Sequence, residues 1–249
     1  MYRFLFSLFL LLLSGALHAS ELLIAVSSNF LATANELAAE FEAQSGHRLR
    51  ISTGSTGKLY AQIIHGAPYD IFLAANAREP LRLEREGHVV KGSRFTYASG
   101  RLVLWSMDPE LLKRGPEQLL GKGGFKSLTL ANPHTAPYGA AGMQVLKQFN
   151  TPRGYRLLRA ENVTQAYQYV ATGSSQLGFI AYSQLIAGKQ QGQGSFWLVP
   201  SSYHAPIEQQ AVLLKRAAGN PVARDFITFL TARSSHRLIK KYGYEVAAL

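Results

Sequence analysis

The chain of 249 residues contains no cysteine. That single absence removes disulfides, thiolate metal ligands, a cysteine nucleophile and a lipid-modified N-terminal cysteine. Paired metal-ligand spacing is missing too. His65, His88, His134, His204 and His236 form no H-x-x-x-H pattern, and no carboxylates cluster at ligand spacing. No nucleophile stands beside a His and an acid in a recognisable sequence pattern, although a triad can be assembled in space from distant residues. Past residue 20 no stretch is apolar enough to span a bilayer. There is no internal repeat and no low-complexity tract. Residues 188–194, with three Gly and three Gln, read as an exposed loop. Acidic residues are scarce, 15 against 26 Lys and Arg, which leaves a formal net charge of +11. The basic residues are scattered, so surface solvation and a general attraction for anions both account for them.

What is present begins with residues 1–19, MYRFLFSLFLLLLSGALHA. Arg3 precedes an apolar run over 4–13, and a small-residue zone ends at Ala19. This is the layout of a cleaved secretory signal, and the run is shorter than the roughly 20 residues a membrane span needs. Cleavage is expected after Ala19, although Leu17 is larger than the residue usual at that place. Export makes a nucleic-acid partner a poor explanation of the charge. Roughly 230 residues then remain, enough for two lobes with cores of their own.

The hydrophobic periodicity alternates. Strands are expected at 21–27, 49–53 and 69–75, with helices between them. Phe30, Leu31, Ala34, Leu37, Ala38 and Phe41 recur at helical spacing, and Gly46 ends that helix. This order implies parallel strands with helices packed outside. A long strand at 95–106 is interrupted by Gly100. A second set follows, with strands at 128–131, 176–181 and 196–199 and helices at 140–149 and 164–172. Another strand at 207–214 precedes two closing helices. The expected fold is α/β, two lobes joined by two crossing strands, with the ligand cleft between them. Lobe 1 is assigned 20–97 plus 210–249, and lobe 2 is assigned 98–209.

Four places where a strand or loop feeds a helix carry small or hydroxyl residues: Ser27-Ser28-Asn29, Gly54-Ser55-Thr56-Gly57-Lys58, Pro137-Tyr138-Gly139-Ala140 and Asn162-Val163-Thr164. A helix N-terminus has free N–H groups and a dipole that favours negative charge. Simple capping or turn formation also explains each motif taken singly. Gly54 to Lys58 is not a nucleotide loop. Ser52 stands where the first Gly of that motif belongs, and Leu59 where Ser or Thr belongs. Tyr242 and Tyr244 near the C-terminus read as packing residues. Taken together, the four helix starts beside an export signal point to capture of a small oxyanion outside the cytoplasm.

At these residues the chain resembles the periplasmic molybdate-binding proteins of ABC importers. The resemblance runs from about residue 21 to 246. It is carried by AVSSNF (25–30), GSTGKLYAQI (54–63), GAPYDIFLAAN (66–76), SRFTYASGRLVLWS (93–106), LGFIAYS (177–183) and KYGYE (241–245). It implies the type II periplasmic binding-protein fold, a monomer, and delivery of molybdate, and tungstate with it, to a membrane permease. It implies no catalytic step and no cofactor, the metal arriving inside the oxyanion. The contacts it implies are Ser28, Asn29, Ser55, Tyr138 with its neighbouring backbone, and Val163 through its N–H. In one respect the chain departs from the better-known members, which place a Tyr hydroxyl on the anion from the strand that here reads Gly178-Phe179-Ile180-Ala181. Ala181 takes the Tyr position, Tyr182 comes one place later on the opposite face, and Asn29 is expected to supply the missing donor. Two alternatives stay open. One is a carrier of the same architecture for sulfate, phosphate or ferric ion. The other is an exported hydrolase using Ser28 or Ser55, which would need a general base within reach of the hydroxyl.

Overall fold

The computed structural model describes residues 21–113, 115–188 and 193–246, so the expected leader at 1–19 and most of the Gly/Gln loop lie outside the described residues. The chain opens with β1 (Glu21–Ser27), a 3₁₀ turn (Ser28–Phe30), α1 (Leu31–Ser45), β2 (Arg48–Gly54), α2 (Thr56–Ile64), β3 (Ile71–Leu73), α3 (Arg78–Arg85) and β4 (Phe95–Gly100). The middle holds β5 (Leu102–Ser106), α4 (Pro116–Lys122), β6 (Ser127–Ala131), α5 (Pro137–Gln148), β7 (Arg156–Ala160), α6 (Val163–Ala171), β8 (Leu177–Ala181), α7 (Tyr182–Ala187) and β9 (Ser195–Leu198). It closes with β10 (Ile207–Leu213), α8 (Pro221–Leu230) and α9 (Arg233–Lys241).

Two five-stranded sheets result, in the orders β2-β1-β3-β10-β4 and β7-β6-β8-β5-β9. They share a plan. In each, three strands run parallel with the first of them in the middle: β1 between β2 and β3, and β6 between β7 and β8. An antiparallel strand follows, β10 in one sheet and β5 in the other. The short connection Arg101 separates β4, paired with β10, from β5, paired with β8 and β9. The long strand expected over 95–106 is therefore two strands that belong to different sheets, and the return crossing falls between β9 and β10. The boundaries expected at 97/98 and 209/210 lie within β4 and β10, the paired strands that lead to the crossing.

The cores follow from the sequence pattern. Ala34, Leu37, Ala38 and Phe41 put one face of α1 on the first sheet, and all four are buried. Phe41 meets Phe226 and Phe229 of α8 with ring centroids 5.3 and 5.5 Å away. Gly46, at φ 71°, takes the left-handed conformation that stops α1. In the second lobe Trp105 is fully buried and stacks on Tyr167 at 5.2 Å, a pairing worth roughly 0.5–1.5 kcal/mol beyond its area. Three elements arise where none was expected: α4, α7 and the edge strand β7. The last reads RLLRA, with Arg at two of its five positions and only Ala160 buried, so no clean alternation marks it.

Candidate ligand-binding site

In each sheet two neighbouring parallel strands end side by side, and each end feeds one of the four motifs. β1 and β2 finish in register at Ser27 and Gly54, and β6 and β7 at Ala131 and Ala160. Ser28 and Asn29 follow β1, Ser55 follows β2, Tyr138 lies in the first turn of α5, and Val163 opens α6. The crevice beyond the carboxyl ends of parallel strands is where open α/β sheets hold ligands. All five residues are buried, and they line one small cavity together with Ser27, Gly54, Thr56, Ala75, Ala136 and Pro137. The structure thus brings together every residue singled out from the sequence. No lining residue is an acid, a Lys, an Arg or a His. Larger pockets are lined by other sets of residues, and none of them gathers all four helix starts.

The hydroxyls divide into two kinds. Ser27 Oγ and Thr56 Oγ1 lie 2.7 Å apart, and Ser27 Oγ accepts from the Ala75 N–H at 3.1 Å. They satisfy each other and tie together the ends of β1, β3 and the start of α2. Ser55 Oγ is different: it is buried and has no hydrogen-bond partner among the described residues. A buried hydroxyl left unpaired costs about 1–3 kcal/mol, so this one is available to a guest. Around it stand helix starts whose first-turn N–H groups have no acceptor within their own helix. Pro137 occupies N1 of α5, where a missing N–H costs nothing, and Tyr138 follows it. At α6 the side chain of Asn162 caps the Gln165 N–H at 3.1 Å, which leaves the Val163 N–H uncapped by it.

Asn29 differs from the sequence expectation. Its amide donates both hydrogens to protein acceptors, to Gln209 Oε1 at 3.0 Å and to Tyr244 Oη at 3.1 Å. What remains for the cavity is its backbone N–H in the 3₁₀ turn. Neither Ala181 nor Tyr182 lines the cavity. Ala181 ends β8, and Tyr182 opens α7 beneath the Arg101 guanidinium, 4.9 Å from its ring centroid. The Tyr138 hydroxyl is engaged by the protein as well, accepting from Gln209 Nε2 at 3.2 Å. Burial pushes the Tyr138, Tyr97 and Tyr244 phenols well above their usual range, so all three remain neutral.

Contacts across the cleft hold the lobes together. The Gly57 N–H donates to Thr135 O at 2.8 Å, and a Cβ on Gly57 would come within 3.0 Å of Thr135 Cα. The second Gly of the Gly54 to Lys58 motif therefore serves closure. Lys58 pairs with Glu161 at 2.7 Å, both about half exposed. On the other side Thr164 Oγ1 donates to Ser28 O at 3.2 Å and Ser183 Oγ to Asn29 O at 3.1 Å. The Ser28 and Asn29 carbonyls of the 3₁₀ turn are thus engaged by the second lobe. Tyr244 is more than a packing residue. Its hydroxyl lies 2.8 Å from Asn29 O and 2.9 Å from Ser183 Oγ, joining the C-terminal segment to both lobes. Gln209, Ser183 and Tyr244 escaped the sequence reading, since they reach Asn29 from 154 to 215 residues away. The visible trace was the polar pair Gln209-Gln210 inside a buried strand, where the register against β4 shifts.

Residues 22–245 match the family described as bacterial extracellular solute-binding protein. The chain belongs to that family. It is 43% identical to the molybdate-binding protein ModA of Azotobacter vinelandii, over 94% of this chain and 93% of that protein. It is 40% identical to ModA of Rhodobacter capsulatus, over 91% of this chain and 88% of that protein. The solved structure of the Azotobacter vinelandii periplasmic molybdate-binding protein superposes with a TM-score of 0.86 at 39% identity, covering 91% of this chain and 100% of that one. The sulfate-binding protein SubI of Mycobacterium tuberculosis superposes at 0.72 with 17% identity, covering 92% of this chain and 87% of that one, which establishes a shared fold alone. These comparisons bear out the two-lobe type II fold, and the relatives are by name binding proteins and not enzymes.

Proposed function

We infer that this protein is the periplasmic molybdate-binding component of an ABC importer, and that it takes tungstate on the same terms. Ser28, Asn29, Ser55, Tyr138 and Val163 make the contacts, with Ser55 through its hydroxyl and Asn29, Tyr138 and Val163 through backbone N–H groups. The observation that carries the reading is the Ser55 hydroxyl, buried without a partner in a cavity of donors that contains no charged side chain. The identity to two molybdate-binding proteins supports the choice of anion. Export by a signal cleaved after Ala19, a monomeric state and handover to a membrane permease complete the proposal.

Such a site selects fully deprotonated oxyanions. Near neutral pH phosphate often keeps a proton, and a buried proton needs an acceptor. Backbone N–H groups cannot accept, so the mismatch costs roughly 1–3 kcal/mol. Molybdate, tungstate and sulfate carry no such proton. Sulfate is smaller and makes fewer contacts in the same cavity. The expected order is molybdate with tungstate, then sulfate, then phosphate. Thermal unfolding tests the reading first. Molybdate at 100 times its dissociation constant adds about 2.7 kcal/mol to stability, and a transition that does not move in excess molybdate rejects the assignment.

A further inference from the structure

Behind the cavity lies a buried hydrogen-bonded chain that runs from one lobe to the other through a single side chain. Gln209 of β10 is fully buried. Its Oε1 accepts from Asn29 Nδ2 and from Tyr97 Oη, each at 3.0 Å, and its Nε2 donates to Tyr138 Oη at 3.2 Å. Asn29 belongs to the 3₁₀ turn of the first lobe, and Tyr138 to the first turn of α5 in the second. The ring of Phe30, next to Asn29, packs edge-on against Tyr97 and Tyr244 at 4.9 and 5.2 Å, so the chain is clamped on its apolar side. Room for it exists because residue 100 is Gly. A Cβ there would collide with the Tyr138 hydroxyl and stand 2.8 Å from Gln209 Nε2. Gly100 is the last residue of β4, directly before the crossing, and Gln209 sits at the irregularity in β10, paired with Ala98 two residues before Gly100.

We propose that Gln209 is a positioning residue for anion capture, fixing the spacing between the Asn29 and Tyr138 helix starts and hence the size of oxyanion the cavity accepts. The inference rests on the oxyanion reading above. Gln209 does not line the cavity itself; it acts through the two residues that do. A carboxamide suits the task because it accepts and donates at once. An apolar side chain of similar length would remove one of the two acceptors of Asn29 Nδ2, leaving it Tyr244 Oη, and would leave the Tyr97 hydroxyl to Ala74 O alone. Tyr138 would lose its tether at the same time. The cost falls on spacing, so it is felt most by the anion that fills the cavity and least by a smaller one.

The experiment is calorimetric titration of the full-length mature protein, the Gln209→Leu and Tyr138→Phe variants and the double variant, with molybdate and with sulfate. Each single variant is expected to weaken molybdate binding about three- to tenfold and to narrow the molybdate-to-sulfate preference. The double variant is expected to be no worse than Gln209→Leu, because both substitutions cut one chain. Additive losses would assign the Tyr138 hydroxyl a direct contact with the anion and overturn the positioning role. Native affinities and native preference in both variants would overturn it as well, even with a lowered unfolding temperature, since that pattern marks a purely structural residue. Should Gln209→Leu not fold, Gln209→Met, closer to glutamine in shape, takes its place in the same cycle with Tyr138→Phe. If the native protein binds neither anion, the oxyanion reading fails and takes this inference with it, and that titration alone identifies the case.

Discussion

In the first lobe the strand ends that meet the cavity are followed by Ser28, Asn29 and Ser55; in the second they are followed by Tyr138 and Val163. The topology behind the two pairs is the same, adjacent parallel strands ending in register. The chemistry differs. The first lobe brings a free hydroxyl as well as backbone donors. The second brings a phenol whose oxygen is engaged by Gln209 and an aliphatic side chain, so its contribution to the proposed site is backbone alone. The lesson is that a half-site made of N–H groups is nearly silent to ordinary side-chain substitution. It responds only when an N–H itself is removed or its helix is displaced.

The substitution expected to have the largest effect exploits that difference. Val163 is the first residue of α6, a position where Pro fits a helix, and Asn162 before it is already extended at φ −145° and ψ 173°, as a residue preceding Pro must be. Val163→Pro deletes the N–H and leaves the helix. A lost hydrogen bond to a charged oxygen costs about 1.5–3 kcal/mol, and the upper end is expected here because water has no room to replace it. Val163→Ala keeps the N–H and should bind almost as the native protein does. Titration of the two variants side by side breaks the comparison if Ala weakens binding as much as Pro.

Ser55→Ala comes next, with a loss of about 1.5–3 kcal/mol in molybdate binding and little change in fold stability, because the hydroxyl has no protein partner to lose. Thr129→Ala is its control in the second lobe. Thr129 Oγ1 donates to Leu158 O at 3.0 Å within the sheet, away from the cavity. It should lower stability somewhat and leave affinity unchanged. Equal losses in affinity at Ser55 and Thr129 would mean that neither acts on the ligand.

The closure contacts should matter less. Gly57→Ala forces a Cβ against Thr135 and strains the hydrogen bond between lobes. The expected cost is about 1 kcal/mol, seen in stopped-flow experiments as faster release of molybdate with little change in capture. Smallest is Lys58→Ala. The Lys58–Glu161 pair is about half exposed on both sides, so its removal should cost under about 1 kcal/mol and nothing measurable at high salt. A large, salt-independent effect would show that this pair and not the backbone contact holds the cleft.

Much of this was readable from the sequence, for a local reason. A helix start is written in adjacent residues, so Ser28, Ser55, Tyr138 and Val163 could be picked out where hydroxyls, Gly and Pro met a new hydrophobic period. That the strands run parallel followed from the same alternation. β7 was missed because an edge strand with Arg at two positions has no period-two signature. The split of residues 95–106 at Arg101 was only hinted at by Gly100, since sheet membership is decided by partners such as Ile207 and Ala181 far along the chain. Asn29 was expected to offer its side-chain amide to the anion, and in the structure that amide is engaged by the protein. Its amide is claimed by Gln209 and Tyr244, 180 and 215 residues away, and no local pattern records that.

The central claim is that a neutral cavity of donors captures molybdate. Calorimetric titration of the mature protein at neutral pH with molybdate, tungstate, sulfate and phosphate tests it most directly. One-to-one binding, with molybdate and tungstate together, sulfate weaker and phosphate weakest, is the predicted result. Tight phosphate binding with no response to molybdate would contradict it.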